Sequence, residues 1–130
     1  MCFACVMSAL PYVRQYDKAK NVIEGDPFQT ECYAWGYPET SVTWHRGALR
    51  VVAEANRVMF KNGSVENSTL RIEGANFEDS DDYMCVATNA LGSANATITV
   101  RVKGKVTVTL RLWRLRGQPF ICIVVLFSVY

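Results

Sequence analysis

Histidine is nearly absent from this sequence, and its scarcity bears first on catalysis. His45 is the only histidine among the 130 residues. A serine hydrolase holds a nucleophile and a base within hydrogen-bond reach, but no glycine-framed serine lies near His45. No glycine-rich phosphate loop is present either. The sequence therefore predicts a protein that is not an enzyme, with His45 facing solvent from a strand.

Metal-binding patterns are missing as well. Cys2 and Cys5 form a Cys-x-x-Cys pair, but no second pair and no histidine follow at the spacing of a zinc site. The acidic run over residues 78–82 lacks the glycine and the distal bidentate glutamate of a calcium loop. We therefore expect no metal and no cofactor. We interpret the acids as one salt-bridge partner among solvated neighbours.

The apolar runs are too short to cross a membrane as a helix. The run over residues 120–130 has eleven residues, which rise about 16 Å as a helix against about 30 Å of hydrocarbon. We interpret it as a truncated membrane segment, a lipid-anchor signal or an alternative end. The apolar residues 1–10 have the length of a signal-peptide core, but no positive charge precedes them. A partial signal segment and an alternative start both stay open.

Charge is divided unevenly along the chain, although the formal net charge is only +2. Residues 20–100 carry eleven acidic and six basic side chains, whereas residues 101–116 carry six basic side chains and no acid. A nucleic-acid binder carries its positive charge on the folded surface, so we predict no nucleic-acid partner. A basic segment beside an apolar run suits contact with a membrane surface. No feature indicates a small-molecule substrate.

Short segments of alternating polarity, such as residues 96–100, are separated by turn signals throughout the central region. Cys32 and Cys85 lie 53 positions apart, with Trp44 twelve positions after the first and Tyr83 two before the second. This spacing suits two sheets packed face to face. We predict an all-β fold, a two-sheet antiparallel sandwich with an added apolar C-terminal segment.

This region resembles an immunoglobulin-type domain of the I-set class over roughly residues 22–102. The residues that carry the resemblance are Gly36, Pro38, Trp44, Leu70, Ile72, Asp79, Tyr83, Cys85 and the segment 87–93. The resemblance implies a disulfide between Cys32 and Cys85, which would stabilise the fold by about 4 kcal/mol. It implies a salt bridge between Arg57 and Asp79. The core residues it implies are Trp44, Leu70, Ile72 and Tyr83.

Within this class the chain is similar to the membrane-proximal domain of the basigin–neuroplastin–embigin family. The similar places are the loop at residues 36–38, the strand opened by Arg57 and the segment 98–103. Asp81 stands where a glycine is usual and Thr30 where a leucine is usual. Residues 106–130 match neither the transmembrane helix nor the cytoplasmic tail of that family.

These observations divide the chain into four parts. Residues 1–19 are expected to form a leader or edge strand, with Tyr12 and Val13 in that strand. Residues 20–103 form the I-set domain, residues 104–119 a basic juxtamembrane linker, and residues 120–130 a short apolar tail.

Three Asn-x-Ser/Thr sequons favour secretion of the protein. Asn62 and Asn67 fall in a polar loop, and Asn95 lies near the start of the last sandwich strand, facing outward. We expect glycans at these three positions.

The candidate interface is the exposed face of the strands that carry Trp44, Cys85 and Asn95, which correspond to strands C, F and G of an I-set domain. That face is the usual contact surface in related adhesion domains. Its residues are Thr43, His45, Met84 and Val86. Met84 and Val86 are apolar where solvent is expected, although scattered surface apolar residues are normal. A glycan on Asn95 would lie beside this patch.

The function that these features favour is an extracellular adhesion or recognition module at the plasma membrane, of the neural type. Its partner would be another immunoglobulin-type chain or a second copy of itself. Two alternatives stay open: a secreted soluble binding protein, and an intracellular structural domain of the muscle-filament type.

Overall fold

The computed structural model describes residues 8–114, 116–117 and 121–129. Within them the chain forms β-strands and one short 3-10 helix, Phe77–Asp79. The strands are β1 (Ala9–Arg14), β2 (Ala19–Ile23), β3 (Phe28–Glu31), β4 (Tyr33–Tyr37), β5 (Ser41–Arg46), β6 (Leu49–Arg50), β7 (Val58–Lys61), β8 (Thr69–Ile72), β9 (Asp81–Asn89), β10 (Gly92–Lys103), β11 (Val106–Arg114) and β12 (Ile121–Val129). The all-β prediction is confirmed.

Two layers of strands make up the sandwich. One layer is the sheet β2-β10-β9-β5-β6, and the other joins β3-β8-β7 to the pair β1-β4. Only Cys32 separates β3 from β4, so they act as one strand that pairs first with β8 and then with β1. All pairs within the sandwich are antiparallel except β2 with β10, which run parallel.

The core lies between the two layers and follows the period of two along each strand. In β9, Tyr83, Cys85 and Ala87 are fully buried while the residues between them are half-buried. Trp44 is 1% exposed, and its Nε1 donates a hydrogen bond to the Asn67 carbonyl oxygen at 3.1 Å. A buried tryptophan is stable here because its one polar atom has a partner.

Thr30, which stands where a leucine is usual, is buried and hydrogen-bonded to a polar neighbour. The Gln15 side chain is also buried and donates from Nε2 to Thr30 Oγ1 at 3.0 Å. A leucine at position 30 would leave that amide without its acceptor, at a cost of about 1–3 kcal/mol.

The N-terminal boundary differs from the expected one. Part of the predicted leader, residues 1–7, lies outside the described residues, but from Ala9 the chain forms β1, which pairs with β4 over Tyr12, Val13 and Arg14. Tyr12 and Val13 therefore lie in an edge strand, as expected, but that strand belongs to the sandwich. The predicted loop at residues 36–38 begins later, because Gly36 and Tyr37 continue β4.

The C-terminal region also differs from the expected linker and apolar tail. β11 and β12 pair antiparallel from Val106 opposite Val129 to Arg114 opposite Ile121, so a separate apolar segment is not supported. Alternating and β-branched sequences favour strands, and Gly117, at φ 79°, takes the left-handed conformation a turn requires. Among the described residues, no helix is long and apolar enough to cross a membrane.

Candidate protein-binding surfaces

The residues predicted to form the framework meet inside the sandwich. Cys32 and Cys85 are bonded with an S–S distance of 2.03 Å, and both are fully buried. Tyr83 is also buried, and its hydroxyl donates to the Asp79 carbonyl oxygen at 2.9 Å. Leu70 and Ile72 lie in the same cluster. These side chains stabilise the fold and present nothing to a partner.

Arg57 and Asp79 meet at the base of the sandwich. Arg57 Nη2 donates to both Asp79 carboxylate oxygens, at 2.9 and 2.7 Å. Asp79 Oδ2 also accepts from the Asn76 backbone N–H at 2.9 Å, which caps the 3-10 helix. The hydrogen bond to Asp79 raises the pKa of Arg57, so the guanidinium stays charged at neutral pH.

A cavity of about 450 Å³ opens beside this pair, with Leu49 and Val52 at its exposed edge. Its lining includes three arginines and three acids. Arg57 pairs with Asp79 and with Glu54, and Arg46 pairs with Asp81. Because these charges largely satisfy one another, the cavity shows no clear preference for a charged ligand.

The predicted interface, here called the CF face, consists of Thr43, His45, Met84 and Val86. Thr43 lies opposite Val86 and His45 opposite Met84 on β5 and β9. All four are half-buried, and Thr43 Oγ1 and His45 Nε2 lie 3.2 Å apart. The structure therefore brings the four residues together, but as a shallow mixed surface.

The three sequons lie on different parts of the sandwich. Asn95 is exposed on β10, opposite Val86, so a glycan there would cover part of the CF face. Asn62 is exposed in the loop between β7 and β8. Asn67 lies in the same loop, half-buried, with a left-handed backbone at φ 58°.

A second surface, here called the aromatic face, lies on the outer side of β1, of the residues that directly follow it and of β4. It consists of Tyr12, Tyr16, Tyr33, Trp35 and Tyr37, which are 43–63% exposed. The Tyr12 and Trp35 rings are 5.3 Å apart, and Tyr16 meets Tyr33 edge to face at 4.9 Å. Such pairs add about 0.5–1.5 kcal/mol beyond burial, so the rings hold one another in place while staying open to solvent.

Charges of both signs lie beside the aromatic face. The Arg14 guanidinium stacks over the Tyr16 ring at 5.2 Å. The charge of Glu31 raises the pKa of Tyr33, with smaller contributions from desolvation, from a hydrogen bond to Glu31 and from Tyr16 and Asp17. Tyr33 is therefore a neutral hydroxyl at physiological pH.

A groove of about 360 Å³ runs through the aromatic face. It is lined by Tyr12, Arg14, Tyr16, Tyr33, Ala34, Trp35 and Ser64. The lining carries one cation and no acid, in contrast to the acidic excess of residues 20–100.

The sequence prediction missed the aromatic face, although a signal for it exists. Counting in steps of two from buried Cys32 places Ala34 inside and Tyr33, Trp35 and Tyr37 outside. Interpreting residues 36–38 as a loop ended the strand too early. The contribution of β1 has no local signal, because its partner strand is about twenty residues away along the chain.

Metal chemistry has no geometric support in the described part of the chain. No group of three or more histidine, cysteine, aspartate or glutamate side chains there could hold a metal ion.

Comparison with known proteins decides the family. The immunoglobulin I-set domain model matches residues 11–102. The chain belongs to the immunoglobulin I-set family. The match begins at residue 11, within the segment predicted to be a leader, in agreement with the position of β1 in the sandwich.

Relatives of this I-set domain include adhesion proteins. Lachesin of Schistocerca americana is 36% identical over 99 residues, covering 75% of this chain and 26% of that protein. The human neural cell adhesion molecule L1 is 35% identical over 81 residues, covering 62% of this chain and 6% of that protein. The mouse peroxidasin homolog is 28% identical over 102 residues, covering 78% of this chain. The I-set domain spans only 7% of the length of the peroxidasin homologs.

Solved structures agree with the fold. A chain of the titin M10–obscurin-like 1 immunoglobulin complex superposes with a TM-score of 0.66 at 28% identity, covering 72% of this chain and 94% of that one. The Down syndrome cell adhesion molecule superposes with a TM-score of 0.65 at 26% identity, covering 81% of this chain and 16% of that one.

Proposed function

We propose that this I-set domain is a non-enzymatic extracellular adhesion or recognition module that acts at the cell surface by protein–protein contact. The observation that carries the proposal is the aromatic face, with five aromatic side chains that are 43–63% exposed. Adhesion proteins among the relatives support the same class of function.

The size of the aromatic face is that of a binding surface. A fully buried aromatic side chain removes about 150–250 Å² from water, so five that are about half exposed offer roughly 500 Å². Exposed apolar patches of about 300–600 Å² are often functional on monomers, and a standard interface buries about 800 Å² per partner. Its tyrosine, tryptophan and arginine content is also that of interface hot spots.

The partner that we propose is another immunoglobulin-type chain, with a second copy of this chain as the first candidate. A two-fold axis brings the same patch of both copies together. Because the domain has an excess of acidic residues, most parts of its surface on one copy repel the surface of a second copy. The groove of the aromatic face has one cation and no acid in its lining, so this repulsion is weaker there. The finer resemblance to the basigin–neuroplastin–embigin family stays a prediction.

Self-association tests the contact surface. Sedimentation equilibrium and aggregation of beads coated with the domain are measured for the wild type and for Trp35→Ala, which should weaken both. Leu49→Ala is the matched control, because Leu49 is 76% exposed on β6 and should change neither. If Trp35→Ala has no effect and Met84→Ser abolishes association, the CF face is the contact surface instead.

Cell fractionation and glycosidase treatment test the compartment. We expect a membrane or secreted pool, a mass loss with glycosidase and an oxidised Cys32–Cys85 pair. Recovery from medium alone would favour the secreted alternative. A cytosolic pool without glycan and with reduced cysteines would overturn the proposal in favour of an intracellular structural domain.

A further inference from the structure

The loop that holds the Asn62 sequon is bonded to the strand that carries the aromatic face. Ser64, the hydroxyl residue of this sequon, donates its backbone N–H to Glu31 Oε1 at 3.0 Å. Its Oγ accepts from the Ala34 N–H at 3.0 Å and donates to the Cys32 carbonyl oxygen at 3.4 Å. Three bonds therefore hold Ser64 against the junction of β3 and β4.

Gly63 lets the loop approach this strand closely. A Cβ at Gly63 would lie 2.3 Å from Glu31 Oε1 and 2.6 Å from Ser68 Oγ. The Gly63 N–H also donates to Ser68 Oγ at 3.0 Å. Because a side chain at position 63 would have no room beside Glu31 and Ser68, the loop packs closely here. The loop therefore fixes the position of the sequon relative to the aromatic face.

The oxygen of the Asn62 side-chain amide is hydrogen-bonded, whereas its nitrogen is accessible. Its Oδ1 accepts from the Asn67 N–H at 3.0 Å, which orients the amide group. Among the described residues no hydrogen-bond acceptor is bound to Nδ2, the atom that a glycan would take, and Asn62 is exposed. Asn67 is half-buried in the same loop, and Asn95 lies on the opposite sheet.

The groove of the aromatic face reaches the sequon itself, because Ser64 is part of its lining. Ser64 lies two positions after Asn62 along the chain, so their Cα atoms are at most about 7.6 Å apart. A core of two sugars is longer than this distance. Sugar C–H groups suit the negative faces of the exposed rings, and Arg14 and the tyrosine hydroxyls can bond to sugar oxygens.

We propose that Asn62 carries an N-linked glycan whose first sugars lie in this groove, against Tyr16, Tyr33 and Trp35. The glycan then covers part of the aromatic face, so its presence controls how much of that face is free for protein contact. The control of protein contact by the glycan rests on the proposed function. The placement of the sugars requires only that the chain passes through the secretory pathway.

The test compares glycoforms of the domain secreted from mammalian cells. Peptide mapping first measures occupancy at Asn62. Acrylamide quenching then measures the exposure of Trp35, and Trp35→Phe gives the background of the other tryptophans. The forms compared are the full glycoform, protein trimmed to one sugar per site, and Asn62→Asp. The aspartate keeps an oxygen to accept from the Asn67 N–H, so the loop is retained. Asn95→Asp is the matched control, because it removes a sequon on the other sheet.

We expect the Trp35 quenching constant to rise about twofold in Asn62→Asp, because a sugar stacked on one ring face covers about half of the ring. The full glycoform and Asn95→Asp should have equal, lower values. Self-association should strengthen in Asn62→Asp. An unoccupied Asn62, or equal quenching with and without its glycan, would overturn the placement.

The two proposals fail separately. If quenching rises in Asn62→Asp but no form self-associates or binds an immunoglobulin-type chain, the glycan placement is supported and the contact function of the aromatic face is wrong. If association depends on Trp35 but not on the Asn62 glycan, the function is supported and the control by glycan is wrong.

Discussion

Removing the cation of the Arg57–Asp79 pair should destabilise the domain more than neutralising the anion. The Asp79 side chain is 3% exposed, whereas that of Arg57 is 32% exposed. In Arg57→Met, the buried carboxylate keeps only the Asn76 N–H as a donor. In Asp79→Asn, the guanidinium reaches water and keeps Glu54 at 3.6 Å, while the new amide oxygen can still accept from Asn76.

The magnitudes follow from this difference in burial. Leaving a buried charge without its partner costs about 3–5 kcal/mol, which we expect for Arg57→Met. Replacing charged hydrogen bonds by weaker neutral ones around a group that water can reach should cost about 1–3 kcal/mol. We expect that smaller loss for Asp79→Asn. The total stability of a small domain is about 5–15 kcal/mol, so Arg57→Met removes a large share of it.

Urea unfolding followed by tryptophan fluorescence and by circular dichroism measures both losses, with an unchanged m-value as the sign that the unfolded state is unaltered. Arg71→Met is the matched control. The Arg71–Glu73 pair has a short distance, 2.6 Å, but its side chains are 29% and 36% exposed. Exposed pairs contribute about 0–1 kcal/mol. A loss in Asp79→Asn equal to or larger than that in Arg57→Met would refute the reasoning from burial.

Two further predictions concern buried polar groups. Burial raises the pKa of Tyr83 from 10.0 to about 12, so its contribution to stability is complete below pH 10 and lost as the pH rises through 12. Two pKa units correspond to about 3 kcal/mol, and urea unfolding from pH 9 to 12 should show a larger fall for the wild type than for Tyr83→Phe, in which only the raised pKa of Tyr33 remains. Parallel curves would contradict it. Thr30→Val should cost about 1–3 kcal/mol of stability because Gln15 Nε2 loses its acceptor. The double variant with Gln15→Leu should recover most of that loss, because Gln15 Oε1 has no partner among the described residues. A double-mutant cycle with no coupling would show that this hydrogen bond does not matter.

The aromatic face and the CF face make different demands on a partner. The aromatic face offers large rings that are already held by one another, so few side chains need to be ordered on binding. The CF face offers half-buried side chains beside the Asn95 sequon. For this reason the substitution of Trp35 is the more informative test of contact.

The sequence by itself determined the all-β class and the I-set family. These depend on local alternation and on a few fixed separations along the chain, such as that between Cys32 and Cys85. Both kinds of feature can be recognised in the sequence alone. The acidic excess of residues 20–100 could likewise be counted directly. The boundary at residue 20 could not be predicted well, because whether β1 belongs to the sandwich depends on the distant strand that pairs with it.

Only the tertiary structure decided where the large exposed aromatic surface lies. Alternation shows which residues of a strand share a side, but the size of the aromatic face comes from the contacts of Tyr12 with Trp35 and of Tyr16, which follows β1, with Tyr33. The approach of the Asn62 loop to that face likewise depends on hydrogen bonds between residues more than thirty positions apart, such as Ser64 with Glu31. Contacts of this kind are set by how the sheets pack, and no local pattern in the chain encodes them.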